Sequence, residues 1–500
     1  MVAAVVRWPN LWLIPAFTDE TREAALAMAI YHGQAAPLTN VNPYIGAFWN
    51  YLVAAGFWTF GLSPWLPRAV SFVGGVATVA ATWWLGRELG GRLAATVAAA
   101  FMAANSTHIL VNSHVGWSHA ITPLFTTLGF ACLARALAGD DRDPQSAPSK
   151  APWLIPAAVA FGLAVQTHLT AGLFLIGAGL TAILMHPVLV QTRWPLLAGA
   201  AFFLVTANLV LYNVATGGHS FTGGLEHVAD YTGEETGYDT RAYGENFGRL
   251  TLASAWILSG AIEKRRFLGE SLAEPLLLLY LGLAVGGSVW AAWRRRWLPL
   301  LAMVPYVLVM PLVNPKYEPL LNGRYLTPLL PLVFAAVGLA TADAWRGLRG
   351  RPPRGLRGVS TAALLAGVAV LAFYPLFPLA RYERSTERTN HAVLVASHVV
   401  QTHRQAGETV LLDRGLDGIF QMAAGSVYKS MQLLLGGHDV PYADVDGRPS
   451  SINEALTEGS PRLALLHGDR VAPLRRSFTV TPVGEQVRGA GFGVYRIAPR

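Results

Sequence analysis

The chain of 500 residues is long enough for several soluble domains, but only 14% of it is charged and 53% is hydrophobic before its 50 glycines are counted. A typical soluble chain is about 25% charged. With a mean hydropathy of +0.38, this one has too little polar surface to cover itself in water, so lipid must do so. Disordered and collagen-like classes are excluded by the same composition, and a single cysteine, Cys132, excludes an intrachain disulfide framework. The net charge of +8 is no nucleic-acid footprint. Much of it sits in short runs between apolar segments, Arg294 to Arg296 and then Arg346, Arg349, Arg351, Arg354 and Arg357, the pattern of cytoplasmic loops in a polytopic membrane protein.

In chain order, residues 2–17 contain Arg7, Pro9, Asn10 and Pro15 and form a short, broken apolar segment. They read as an inside-to-outside span without its N-terminal half, and they lack the basic start and small-residue cleavage site of a signal peptide. Apolar stretches able to cross a bilayer follow at 68–85, 93–110, 117–138, 153–168, 171–190, 195–214, 275–292, 298–313, 325–343 and 359–380. Residues 44–62 are apolar but rich in Trp, Phe and Tyr, which favour the interface.

Charge decides how residues 44–62 lie. If they cross the membrane, the basic loops fall outside and the acidic stretch 216–250 inside. If they lie flat on the outer surface, loops 86–92, 139–152, 191–194, 293–297 and 344–358 are cytoplasmic and, with Arg135, carry fourteen Lys and Arg residues. Loop 216–273, with Glu226, Asp230, Glu234, Glu235, Asp239 and Glu245, is then external. Only the second arrangement obeys the positive-inside rule. It predicts about 11 spans, with Asp19 and Glu20, segment 44–62, loop 314–324 and the C-terminal tail external.

After Arg381 the composition becomes soluble, with fourteen basic against twelve acidic residues. Residues 391–406 predict an amphipathic helix, 408–415 a strand and turn, and 451–459 a helix opened by a Ser cap. Residues 461–469 predict a buried strand, and FTVTP and FGVYRIAP closing strands. The chain thus divides into a polytopic α-helical membrane domain, 1–380, and a small external α/β domain, 381–500.

Few residues can carry chemistry. Asp19 and Glu20 meet the outer interface at the start of a short helix capped by Thr18. Acids there are ordinary capping chemistry, but partial loss of hydration also favours a more basic carboxylate. In NPKYEPLLNGRYLTPLLPL, Lys316 and Arg324 sit on an external loop that runs through Tyr325 into a span. They are either snorkelling cations or a clamp for a lipid phosphate. His168 lies at an external tip and could touch the same phosphate. His108, His114 and His119 invite a metal reading, but their spacing does not share one helical face and no Cys accompanies them. No charged residue lies deep in a span, as an ion-coupled transporter usually needs.

FTDETREAALAMAIYHG resembles the Asp-Glu external-loop motif of the GT-C superfamily of membrane glycosyltransferases. The similarity continues through NPYIGAFWNYLVAAGFWTFG, WLPRAVSFVGGVATVAATWWLGRELGGRLAATVAAAFMAANSTHILV and LNGRYLTPLLPL, over roughly residues 7–380. The closest groups are protein O-mannosyltransferase-like and aminoarabinose-transferase-like enzymes. The chain departs from them in its shortened first span, in Thr21 and Arg22 after the acids, and in lacking the Trp-Trp-Asp signature of the oligosaccharyltransferase branch.

The resemblance implies a sugar donor on a polyprenyl phosphate at the outer leaflet of the plasma membrane, and a lipid, protein or polysaccharide acceptor. Phosphate leaves without a general acid, so one base suffices, which points to Asp19. Glu20 would orient Asp19 or, with it, ligate a divalent cation. Arg324, Lys316, His168 and Tyr325 would hold the donor phosphate, and direct displacement would invert the anomeric centre. The alternative is a flippase or transporter of lipid-linked sugars, without glycosyl transfer.

Overall fold

The computed structural model describes residues 1–11, 18–138, 149–223, 243–262, 275–314, 317, 321–350, 354–419, 426–456, 462–486 and 489–500. After a short helical turn, α1 (Val2–Val5), the chain enters α2 (Thr18–Tyr31) and α3 (Phe48–Phe60). At 13 residues, α3 is about 20 Å long, too short to cross a bilayer. It packs against α2 and buries Trp49, Asn50, Val53, Ala54 and Phe57.

The 39 residues of α4 (Leu66–Ala104) are two helices joined at Gly91, whose φ of 82° breaks the spiral. A Cβ on Gly86 would lie 2.9 Å from the Cα of Ala95, whereas a straight helix would separate two such residues by roughly 13 Å. The chain therefore doubles back, as the two separate segments 68–85 and 93–110 predict. The second limb ends early. Asn105 Oδ1 accepts the amide of His108 at 2.9 Å and caps a new helix, α5 (Ser106–Ser113).

Helices α6 (Thr122–Ala136), α7 (Leu154–Thr167), α8 (Ala171–Met185), α9 (Trp194–Val205), α10 (Ala207–Thr216), α11 (Tyr243–Leu258), α12 (Pro275–Trp293), α13 (Leu298–Val313), α14 (Leu330–Gly350) and α15 (Arg354–Phe373) follow. The core is strung on aromatic contacts. Phe101 stacks on Phe334 at 5.3 Å and Phe174 on Tyr306 at 4.4 Å, while Phe130 meets Phe161 edge-on at 5.0 Å. Within Asn322–Arg349 the apolar window is 94% buried inside the protein, and within Gly358–Ser385 it is 17% buried. The first is thus a central helix against α4, and the second a peripheral one left for lipid to cover.

Among the described residues, four helices are long and apolar enough to cross a membrane, and a fifth results if α9 and α10, bent by 66°, form one span. One of the four is the doubled-back α4. Ala151–Thr167, Ala171–Met185 and Leu298–Val313 are apolar but shorter. The sequence-based total of about 11 counted such short helices as full spans, because hydropathy windows run through caps and turns.

Arg135, Arg294 and Arg346 gather at one end of the bundle. Arg135 reaches Glu88 at 3.0 Å and lies over Trp153, and Asp343 takes Arg294 at 3.0 Å and Arg346 at 2.5 Å. The first limb of α4, Leu66 to Gly90, spans roughly 37 Å at 1.5 Å per residue, about the thickness of a bilayer. Arg68 is at its far end.

The long helix α16 (Leu376–His403) runs through Arg381 without a break into the C-terminal sheet. Strands β1 (Val410–Asp413), β2 (Tyr442–Val445), β3 (Arg462–His467), β4 (Phe478–Pro482) and β5 (Phe492–Pro499) take the order β2-β1-β3-β5-β4. β1 is parallel to β2 and β3, and β5 is antiparallel to β3 and β4. The two-residue alternation of strands sends Leu412, Leu463 and Leu465 to one core and Leu411, Ala464 and Leu466 to the other.

The four strands read from the sequence are present, while β2 and helix α17 (Val427–Gly437) were not read. Helix α18 (Pro449–Ala455) begins with Pro449 behind Arg448, not with a Ser cap. A further helix, α19 (Gly468–Leu474), follows β3. Helix α17 lies on α2: Leu433 packs with Ala24 and Met28, and a Cβ on Gly437 would meet Pro64 N at 2.5 Å. The C-terminal unit therefore braces the helix that carries Asp19.

Candidate active site

Three acids occupy the first turns of α2, and each faces a different partner. Asp19 Oδ2 receives Arg324 Nη1 at 3.1 Å. Glu20 is fully buried and takes both Nε and Nη2 of Arg68, at 2.7 and 3.0 Å, together with the amide of Gly116 at 2.7 Å. Glu23, 3% exposed, accepts the amide of Ser118 at 2.6 Å and its hydroxyl at 2.9 Å. Burial, and then the charge of Asp19, push the Glu23 carboxyl up to about 8.

These bonds fix the turn that leads into α6. Gly116 has no room for a side chain, since a Cβ would sit 2.6 Å from Pro67. Trp117 donates its indole N–H to Val111 O at 3.0 Å and presents its ring to the Arg324 guanidinium, 4.7 Å from the ring centre. Tyr325 stands beside the same guanidinium, at 4.8 Å from ring centre to Cζ, and its hydroxyl accepts Nη2 at 2.9 Å. Arg324 is thereby held between two aromatic rings with one edge on Asp19.

The imidazoles of His119 and His168 approach to 3.9 Å between ring centres, and each lies 5.6 Å from the Tyr325 ring. His168 Nδ1 pairs with Thr170 Oγ1 at 2.7 Å, and Tyr44 meets the His168 ring edge-on at 6.0 Å. The tertiary structure thus brings together Asp19, Arg324, Tyr325 and His168 of the residues read from sequence. Lys316 lies outside the described residues, as do Glu226, Asp230, Glu234, Glu235 and Asp239. Glu245 is described, and pairs with Arg249 on exposed α11 surface.

Two expectations about Glu20 do not fit this geometry. Its carboxylate is occupied by Arg68 and Gly116 and ties α2 to α4; it does not orient Asp19. Nor does the acidic pair suit a divalent cation, because each carboxylate already faces a guanidinium. Among the described residues no group of three or more His, Cys, Asp or Glu is placed to hold a metal ion.

Sequence reasoning missed Arg68, Trp117 and Glu23, and weighed His119 only as a metal ligand. For Glu23 a signal existed: it follows Asp19 by four residues, one helical turn. For the pairing of His119 with His168 there was none, since the two lie on different helices.

Residues 25–214 match the family described as dolichyl-phosphate-mannose-protein mannosyltransferase. No curated protein sequence matches the chain. Among solved structures, ArnT from Cupriavidus metallidurans bound to undecaprenyl phosphate superposes with a TM-score of 0.61 at 14% identity, over 99% of this chain and 96% of that one. The same enzyme in the apo state gives a TM-score of 0.57, also at 14% identity and with the same coverage. The bundle with its interfacial α2 and α3 and the C-terminal sheet thus shares the fold of ArnT, and within it residues 25–214 carry the likeness to the mannosyltransferase family.

Proposed function

We propose that the protein moves a sugar from a polyprenyl-phosphate donor to an acceptor hydroxyl at the outer face of the plasma membrane, inverting the anomeric centre. The observation that carries this reading is the contact of Asp19 with Arg324. It puts a carboxylate and an aromatic-backed guanidinium within one hydrogen bond, at the end of the bundle opposite the basic residues. The positive-inside rule assigns that basic end to the cytoplasm, which leaves Asp19 and Arg324 outside. The C-terminal sheet, braced on α2, shares their side. The undecaprenyl phosphate bound by the structural relative supports a lipid phosphate as the donor's leaving group.

In the transfer step the acceptor oxygen attacks the anomeric carbon while its proton passes to Asp19. The bond from that carbon to the phosphate oxygen breaks, and polyprenyl phosphate leaves with the electron pair. Arg324 offers paired N–H donors to the charge that develops on the phosphate. His119 and His168 flank the Tyr325 ring beside Arg324, and the three contribute polar edges to the headgroup. Before donor binds, Asp19 and Arg324 neutralise each other. A phosphate that takes over the guanidinium frees Asp19 to act as base, so donor binding and base activation are linked.

The test is transfer from radiolabelled polyprenyl-phosphate sugars to extracted acceptor lipids in membranes holding the protein, read by thin-layer chromatography. The expected result is a new labelled product with wild-type protein and its loss with Asp19→Asn. Label that crosses the bilayer without joining an acceptor, in both proteins, would instead mean a flippase.

A further inference from the structure

Glu23 takes no part in the transfer step, yet its buried carboxyl ties α2 to the Trp117–His119 turn. Its side chain reaches across to Ser118, the residue between Trp117, on which Arg324 rests, and His119, which meets His168. Its own carbonyl accepts Asn50 Nδ2 at 3.0 Å, so α3, α2 and the turn are joined at one point. Oε2 accepts the Ser118 amide and Oε1 the Ser118 hydroxyl, two bonds that favour the charged form and are outweighed by burial and by the charge of Asp19.

We propose that Glu23 is a positioning residue of the transfer reaction, which holds Asp19 in register with the Trp117–His119 turn while neutral and weakens the donor-phosphate site when it ionises. The inference rests on the reading of Asp19 and Arg324 given above. The charged and titratable groups around Glu23 are few. On α2 itself they are Asp19, engaged with Arg324, Glu20, engaged with Arg68 of α4, and the exposed Arg22. The turn contributes His119. Helix α3 contributes only Tyr51, bonded to Pro37 O at 3.2 Å, and Lys429 of α17 lies 3.6 Å from Asp417. Among these the group of like charge that most affects Glu23 is Asp19, one turn away.

Ionisation of Glu23 therefore puts a second negative charge beside Asp19. The added charge repels an arriving phosphate. Burial and the Asp19 charge raise the Glu23 carboxyl to about 8, so this change falls on the alkaline side of neutrality. The reaction then has an alkaline limb expressed in the KM for donor more than in kcat.

Three forms of the full-length protein separate this role from a merely structural one. In wild type, the KM for a polyprenyl-phosphate sugar should rise several-fold between pH 7 and pH 9, around the value of about 8. Glu23→Gln keeps the hydrogen bonds to Ser118 without a charge, so its KM should stay level over that range. Glu23→Ala removes the tether, and kcat should fall about tenfold at every pH, whereas Glu23→Gln should keep a kcat near that of wild type. Coincident pH profiles for wild type and Glu23→Gln, or wild-type kcat in Glu23→Ala, would overturn the proposal.

Infrared titration of the purified protein in detergent gives a readout that needs no activity. A protonated-carboxyl band should vanish near pH 8 in wild type and be missing from Glu23→Gln. Identical titrations in the two proteins would refute the proposal even if no transfer were detected. An intact band difference with no transfer would fault the reading of the reaction instead.

Discussion

Arg324 Nη1 lies 3.1 Å from Asp19 Oδ2, across 305 residues of sequence. The guanidinium is buried and seated on Trp117 and Tyr325, whereas the carboxylate is a third exposed. The arginine is thus the fixed partner and the aspartate the accessible one. This division suits a cation that must receive a lipid phosphate and a base that must meet an incoming hydroxyl.

Asp19→Asn removes the base but keeps its size and much of its hydrogen bonding. Turnover should fall by about 10²–10⁴-fold while the protein still inserts and folds. Rates of sugar transfer in reconstituted membranes check this, and activity within a few-fold of wild type would move the base elsewhere.

Arg324→Lys keeps a positive charge but loses the planar fork and the stacking on Trp117. Donor use should fall, and fall further in Arg324→Ala. A residue that only anchors its helix at the interface would be replaced by a snorkelling Lys without loss. An unchanged KM and kcat for Arg324→Lys would therefore favour anchoring over phosphate binding.

The buried pair of Glu20 and Arg68 should matter for folding. Glu20→Ala leaves Arg68, 2% exposed, without its carboxylate, and breaking a buried pair in this way costs about 3–5 kcal/mol. Unfolding of the detergent-solubilised variant should occur at much lower temperature than wild type. Wild-type stability in Glu20→Ala would show that the pair does not tie α2 to α4.

Glu23 should leave its mark on stability as well. Its folded-state value of about 8 stands above the ordinary 4.5, so the folded protein holds this proton more tightly than the unfolded chain. The stabilisation is full below about 4.5 and is lost as pH rises to about 8. The melting temperature of wild type relative to Glu23→Gln should therefore decline across that window. A constant difference between the two would contradict the raised value.

Orientation can be read by labelling. Cys132 is buried, so single cysteines placed at exposed Arg349, on the basic end, and exposed Arg476, in the C-terminal unit, report without interference. An impermeant thiol reagent added to intact cells should label position 476 and spare position 349. Labelling of both from the same side would sink the proposed topology.

Composition and local pattern by themselves determined the class of this protein. A chain with 14% charge cannot make a water-covered surface, so a lipid-covered helical bundle was legible, as was the sheet whose strands alternate every second residue. The Asp-Glu start of α2 and the cation before Tyr325 were legible as candidates because each stands at the edge of an apolar run. These properties act over a few residues, and periodicity records them.

Only the tertiary structure decided which candidates meet. Asp19 and Glu20 are neighbours in sequence, yet the 100° step of a helix sends one to Arg324 and the other to Arg68. His119 and His168 approach because α6 and α7 pack side by side, and Trp117 reaches Arg324 because Glu20 and Glu23 pin the turn from Gly116 to Ser118. Such contacts depend on where α4 reverses at Gly91 and on how α14 lies against it. Those outcomes come from packing between helices far apart in the chain, which no local pattern of residues encodes.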